Sequence, residues 1–125
     1  NNAGGGEGVR APYMSAGELS EAEVLKKIGT GLYLGNLHYL NWSDCIGGRI
    51  TGMTRYACFW VENGEIVAPI ENMRFDDSFY NFFGENLEAV SNKVEFNPEV
   101  GTYESRSLGG THCPGVLLSS FSLTL

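Results

Sequence analysis

Residues 53–75 read "MTRYACFWVENGEIVAPIENMRF", and their interpretation decides the fold. Two apolar runs flank Asn63-Gly64, the dipeptide best suited to the positive φ angles of a two-residue hairpin turn. The spacing predicts an antiparallel hairpin with strands over Arg55–Glu62 and Glu65–Pro69. Pro69 has no N–H to give to a ladder, so it belongs at a strand end or on an edge.

Working outward, "RFDDSFYNFFGENLEAVSNKV" follows at 74–94. Phe79, Phe83, Leu87 and Val90 recur at helical spacing, and Asp76 and Asp77 precede them where carboxylates suit the positive end of a helix. An amphipathic helix packed on the sheet is therefore expected. The two aspartates read as its caps in preference to an acid/base pair or a calcium site. Gly84 falls inside it at a cost of about 1 kcal/mol relative to alanine. Tyr80 and Phe82 lie off the Phe79/Phe83/Leu87 stripe, which makes them candidates for an exposed or interface role.

On the N-terminal side, Ser20 and Glu23 have capping-box spacing, Val24, Leu25 and Ile28 share a helical face, and Gly29 can end the helix. A two-turn helix is expected there, followed by a strand over Gly31–Leu37 and a polar loop "NWSDCIGGR" at 41–49. "GVLLSSFSLTL" at 115–125 reads as a closing strand. The order of helix, strand, hairpin, helix, loop and strand lacks a β-α-β rhythm, so the fold class is α+β with a mainly antiparallel sheet and two short helices. Residues 1–19, with glycines at 4, 5 and 6, divide off as a flexible leader or the remnant of an upstream domain, leaving 20–125 as one domain.

Composition narrows the functional classes. With a formal net charge of −7 and scattered Lys and Arg, the chain has no electrostatic grip for nucleic acid phosphates. Charged residues make up 18% of the chain, below the roughly 25% usual for soluble domains, while aromatics are abundant. That balance suggests surface buried against a partner. Three cysteines are an odd number without a dense disulfide pattern, which fits a reduced, cytoplasmic thiol set. No stretch approaches the ~18 apolar residues of a membrane-spanning helix.

The segment "GTYESRSLGGTHCPG" at 101–115 holds the candidate chemistry. His112 and Cys113 are adjacent, so in an extended segment they point to opposite faces and do not share a metal. The other histidine is His38, and neither Cys-x-x-Cys nor His-Glu-x-x-His occurs, so a four-ligand zinc site is not expected within the chain. A nucleophilic pair of Cys113 with His38 or His112 is the alternative chemistry, set against a plain structural thiol.

Taken in order, Thr51-Gly52, Phe59–Val61, Glu62-Asn63-Gly64-Glu65-Ile66, Pro69 and Val90-Ser91-Asn92 resemble the C-terminal domain of the TldD/PmbA family, metalloprotease-related proteins also called modulators of DNA gyrase. The resemblance extends over about Gly31–Leu125, including the closing "CPGVLLSSFSL" at 113–123. It implies a long upstream part carrying a His-Glu-x-x-x-His zinc helix in the TldD branch, completed by a cysteine in a Gly-Thr-Cys-Gly context. Here those positions are Gly101-Thr102-Tyr103-Glu104, and a phenol is a poor zinc ligand beside a thiolate. The resemblance therefore leans to the PmbA-like branch. It implies a domain that is non-catalytic by itself, forms a substrate-cavity wall and a dimer contact, and pairs as a homodimer or with a TldD-like subunit acting on unfolded peptides. Tyr80, Phe82, Tyr103 and Arg106 are its candidate substrate or interface residues, and Cys113 and His112 its metal candidates. Any zinc would belong to the longer parent or its partner. An active zinc metalloprotease with its motif upstream and a stand-alone interaction module are the rival readings.

Overall fold

The computed structural model describes residues 11–102 and 109–124. It is mainly antiparallel sheet with two short helical pieces. The Asn63-Gly64 turn joins β4 (Cys58–Glu62) to β5 (Glu65–Pro69), with Val61 opposite Ile66 and Glu62 opposite Glu65. Asn63 and Gly64 have φ of 51° and 78°, the left-handed region in which Asn and Gly are least strained. The first strand starts at Cys58 because Arg55–Ala57 turn the chain. Tyr56 has φ 60°, Arg55 N–H donates to Asn36 O (3.2 Å), and Ala57 O accepts from Gly35 N (2.9 Å).

β1 (Gly31–Leu34) pairs with the far side of β4, giving a three-stranded sheet in the order β1-β4-β5. The helix before it is a 3-10 turn, Glu21–Glu23, continued by α1 (Val24–Ile28). Ser20 contributes its carbonyl to this start, accepting from Glu23 N (2.9 Å), and its hydroxyl makes no cap, contrary to the capping-box expectation. Gly29 closes the helix with φ 64° and donates to Leu25 O (3.0 Å).

The predicted polar loop at 41–49 is largely strand. β2 (Leu37–Asp44) runs antiparallel to β3 (Arg49–Thr54), and the turn between them is confined to 45–48. There Asp44 Oδ1 accepts from Ile46 N (3.0 Å) and Gly48 takes φ 60°. The polar residues that suggested a loop belong to an edge strand that solvent reaches from both faces.

The helix expected over Phe79–Val90 is replaced by strand, turn and strand. β6 (Arg74–Ser78) pairs with β3, from Arg49 opposite Ser78 to Met53 opposite Arg74. A single wide helical turn, Asn81–Glu85, follows and closes with Asn86 N donating to Asn81 O (2.9 Å). β7 (Leu87–Pro98) then runs antiparallel to β8 (Gly110–Leu118) as a two-stranded ribbon. Gly84 and Asn86 are poor helix formers, while Val90, Val94 and Phe96 favour extended backbone, so the apolar period of the first turn does not continue.

The closing segment divides in two. β8 ends at Leu118, and β9 (Leu123–Thr124) joins β6, completing a sheet ordered β2-β3-β6-β9. Asn86 fixes the crossing, accepting from Ser119 N (2.9 Å) and donating to Ser120 O (3.4 Å).

Residues 11–19 lie along the ribbon. His112 N donates to Pro12 O (3.0 Å) and Met14 N to His112 O (2.9 Å). Further on, Gly17 N donates to Ser91 O (2.9 Å), Leu19 N to Val90 O (3.0 Å) and Asn92 N to Leu19 O (2.8 Å). The interior is thin and centres on Phe75, Val61 and Cys58, with Leu19 and Phe82 at its margins. No helix among the described residues is long and apolar enough to cross a membrane.

Candidate functional site

β2 and the wide turn after β6 build an aromatic surface on one sheet. Trp42, on the edge strand, meets Phe79 with ring centres 5.3 Å apart, and Phe79 stacks on Phe83 at 5.7 Å. Tyr80 is 68% exposed, and its ring covers Gly48 so closely that a Cβ there would lie 2.9 Å from it. Tyr39, with φ 53°, and Leu40 extend the exposed apolar row along β2, where the ladder bulges between His38 and Asn41. Arg49 and Asp76 form an ion pair across β3 and β6. Hydrogen bonds from Ser43 and then Arg49 hold the Asp76 carboxyl below its ordinary value.

Of the two residues singled out on this turn, the structure leaves Tyr80 exposed and buries Phe82. Phe82 stacks on Phe121 at 5.4 Å and meets Phe79 edge-on at 6.3 Å. Phe83, assigned to the buried stripe, is 50% exposed instead. The inversion follows from the wide turn, because five residues per closing bond rotate side chains differently from an α-helix. Trp42, Tyr39 and Leu40 were not singled out in the sequence, although a tryptophan between Asn41 and Ser43 in a supposed polar loop was the available signal.

Asp77 points the other way from Asp76 and is enclosed. Its carboxylate accepts from Ser78 N (2.8 Å), Asn81 Nδ2 (2.6 Å) and Ser122 N (3.1 Å). Neither aspartate caps an α-helix, and the reading of both as helix caps is corrected accordingly.

His112 and Cys113 lie in β8 opposite Phe96 and Glu95 respectively. The His112 ring stacks on Phe96 at 4.6 Å and leans on Tyr13 at 5.7 Å. On the other face, Cys113 Sγ accepts from Asn97 Nδ2 (3.5 Å), and Lys93 pairs with Glu21 (3.0 Å) and with Glu95 (3.2 Å), the residue opposite Cys113. Those two carboxylates, Glu21 first, raise the Lys93 pKa. His38 sits in a different sheet from Cys113, against Tyr39 at 4.4 Å. With one ring held between aromatics and the thiol on the opposite face, His112 and Cys113 do not fit a shared zinc ion. Among the described residues, no three His, Cys, Asp or Glu side chains gather as metal ligands would. Tyr103 and Arg106 lie outside the described residues. The thiols differ in access: Cys45 is exposed in its turn, Cys113 is partly covered, and Cys58 is buried, its Sγ 3.4 Å from Asn36 O.

A cavity of about 300 Å³ lies elsewhere, between the first helix and the ribbon, lined by Leu19, Glu23, Lys27 and Leu117 among others.

No curated protein matches the sequence. Among solved structures, the fold is similar to the crystal structure of TldE from Thermococcus kodakarensis, with TM-score 0.75 and 15% sequence identity. The superposition covers 99% of this chain and 26% of that one, so the chain spans about a quarter of the TldE length. A family described as the PmbA/TldA metallopeptidase C-terminal domain matches residues 4–125. That match runs through the described strands, the Asn-Gly hairpin and the closing segment alike, and the chain belongs to the PmbA/TldA metallopeptidase C-terminal domain family.

Proposed function

We propose that this domain serves a peptide-hydrolysing assembly as a non-catalytic element, lining part of a substrate cavity and contacting a TldD-like subunit. The observation that carries this reading is the exposed aromatic surface of β2 and the wide turn, where Trp42, Tyr80 and Phe83 each show half or more of their surface. Exposed apolar patches of this kind mark contact surfaces, and aromatic side chains are enriched at the buried centres of interfaces. The separation of His112 from Cys113 supports placing any metal chemistry outside these residues. Zinc, in this reading, is held by the partner or by a longer parent chain.

Co-elution of the chain with a TldD-type subunit on size exclusion, together with cleavage of an unstructured peptide, tests the reading. The chain alone should not cleave the peptide with zinc present. The Trp42→Ser/Phe83→Ser variant should keep its far-ultraviolet circular dichroism and lose co-elution. Zinc-dependent cleavage by the chain alone, or undiminished co-elution of the variant, rejects it.

A further inference from the structure

We propose that Asn63 is a site of spontaneous covalent modification, conversion to aspartate and isoaspartate, and that the docking of α1 on the hairpin turn gates it. Asn63 is exposed at the tip of the β4–β5 hairpin and is followed by Gly64, the residue that least obstructs attack by its own backbone nitrogen. In the reaction, the Gly64 amide nitrogen gives up its proton and bonds to Asn63 Cγ. The Cγ–Nδ2 bond breaks and ammonia leaves. Water then opens the five-membered imide at either carbonyl, giving aspartate or isoaspartate. The balance is asparagine plus water to acid plus ammonia, with no other reactant.

The structure places a restraint on the nucleophile. Gly64 N donates to Gly29 O at 2.8 Å, and Gly29 is the residue that closes α1. Asn63 N donates to Thr30 Oγ1 at 3.4 Å, and a Cβ on Gly64 would come within 3.2 Å of the Lys26 Cα. The turn is thus clamped to the backbone of the helix and its C-terminal end. While the clamp holds, the nitrogen is engaged as a donor and the turn geometry is fixed. The clamp is weak: α1 has five residues, and neither it nor the 3-10 turn before it contains a buried residue. Short elements with little buried surface open locally before the rest of a domain. Each opening frees the Gly64 nitrogen, so the extent of modification records the time the helix has spent undocked. The product adds a carboxylate between Glu62 and Glu65, and isoaspartate also lengthens the main chain by one methylene, which the two-residue turn does not accommodate. Modification therefore makes undocking permanent.

The test is peptide mapping by mass spectrometry of the full chain incubated in mildly alkaline buffer, with isoaspartate resolved chromatographically. Asn36 and Asn92, which precede Leu and Lys, serve as internal controls. In the unfolded chain Asn63 should convert faster than both controls, and in the native chain it should be strongly protected. Leu25→Ala/Ile28→Ala, which loosens α1, should speed conversion at Asn63 about tenfold, equivalent to about 1.4 kcal/mol of docking, while leaving the controls unchanged. Equal rates for Asn63 and the controls in the unfolded chain overturn the site. Equal rates for Asn63 in native and unfolded chains overturn the gate. If the double variant unfolds, a urea series on the parent chain decides. Conversion that rises before the global transition supports the gate, and conversion that tracks only global unfolding removes it.

Discussion

Asp77 is 2% exposed, and its carboxylate has three N–H donors, two of them nearby in sequence and the third from Ser122, forty-five positions away. Burial pushes its pKa up, and the hydrogen bonds from Ser78, Asn81 and Ser122 outweigh that effect, leaving it below the ordinary value. A carboxyl whose folded pKa lies below its unfolded one adds stability above the unfolded value, ~3.9, and the contribution is lost as pH falls through the folded pKa. Asp77→Asn turns one acceptor into a donor facing other donors and should cost about 1–3 kcal/mol at neutral pH. Urea midpoints for the parent and the variant should converge as the buffer is acidified below the carboxylate range. A gap that stays constant with pH would show that the charge on Asp77 is not what holds the turn. The sequence marked Asp76-Asp77 as carboxylates facing backbone N–H groups, and for Asp77 the chemistry is of that kind. It did not show that the partners belong to a strand end and to the closing segment, because Ser122 is brought there only by the pairing of β9 with β6.

Among the elements, the hairpin was legible because its signal is local: Asn63-Gly64 fixes the turn, and the apolar runs on each side fix the strands. The ribbon was not. From Val94 onward most of β7 is exposed on both faces, so no inside/outside alternation marks "EFNP" as strand, and Phe79 and Phe83 imitated a helical stripe over one turn. The contribution of residues 11–19 was equally hidden, since their ladder partners are Val90, Ser91 and His112. Gly17 makes that contact possible, because a Cβ there would lie 2.4 Å from Val90 O. Gly17→Ala should lift this segment from the ribbon at a cost on the order of 1–3 kcal/mol. Hydrogen exchange is expected to quicken at the Gly17, Leu19 and Asn92 amides and stay unchanged at Val61. Retained protection at Leu19 and Asn92 would mean that the segment is held by something other than these bonds.

At the scale of the molecule, three small sheets among the described residues share a thin interior, and much of the apolar side-chain surface faces outward along β2 and the wide turn. The low charge fraction hinted at this imbalance; which face carries it depended on the strand pairing of residues 41–54, which the polar composition of "NWSDCIGG" concealed. The same architecture grades the cysteines by depth. Cys45 sits at a turn, Cys113 within the ribbon and Cys58 in the central core. A thiol-reactive dye should therefore label Cys45 in the native chain, Cys113 as the ribbon frays, and Cys58 at the rate of global unfolding. Equal labelling of Cys58 and Cys45 would contradict that order. The fold thus carries its own depth gauge: three reporters, already in the sequence, from which the order of opening is read by which sulfur reacts first.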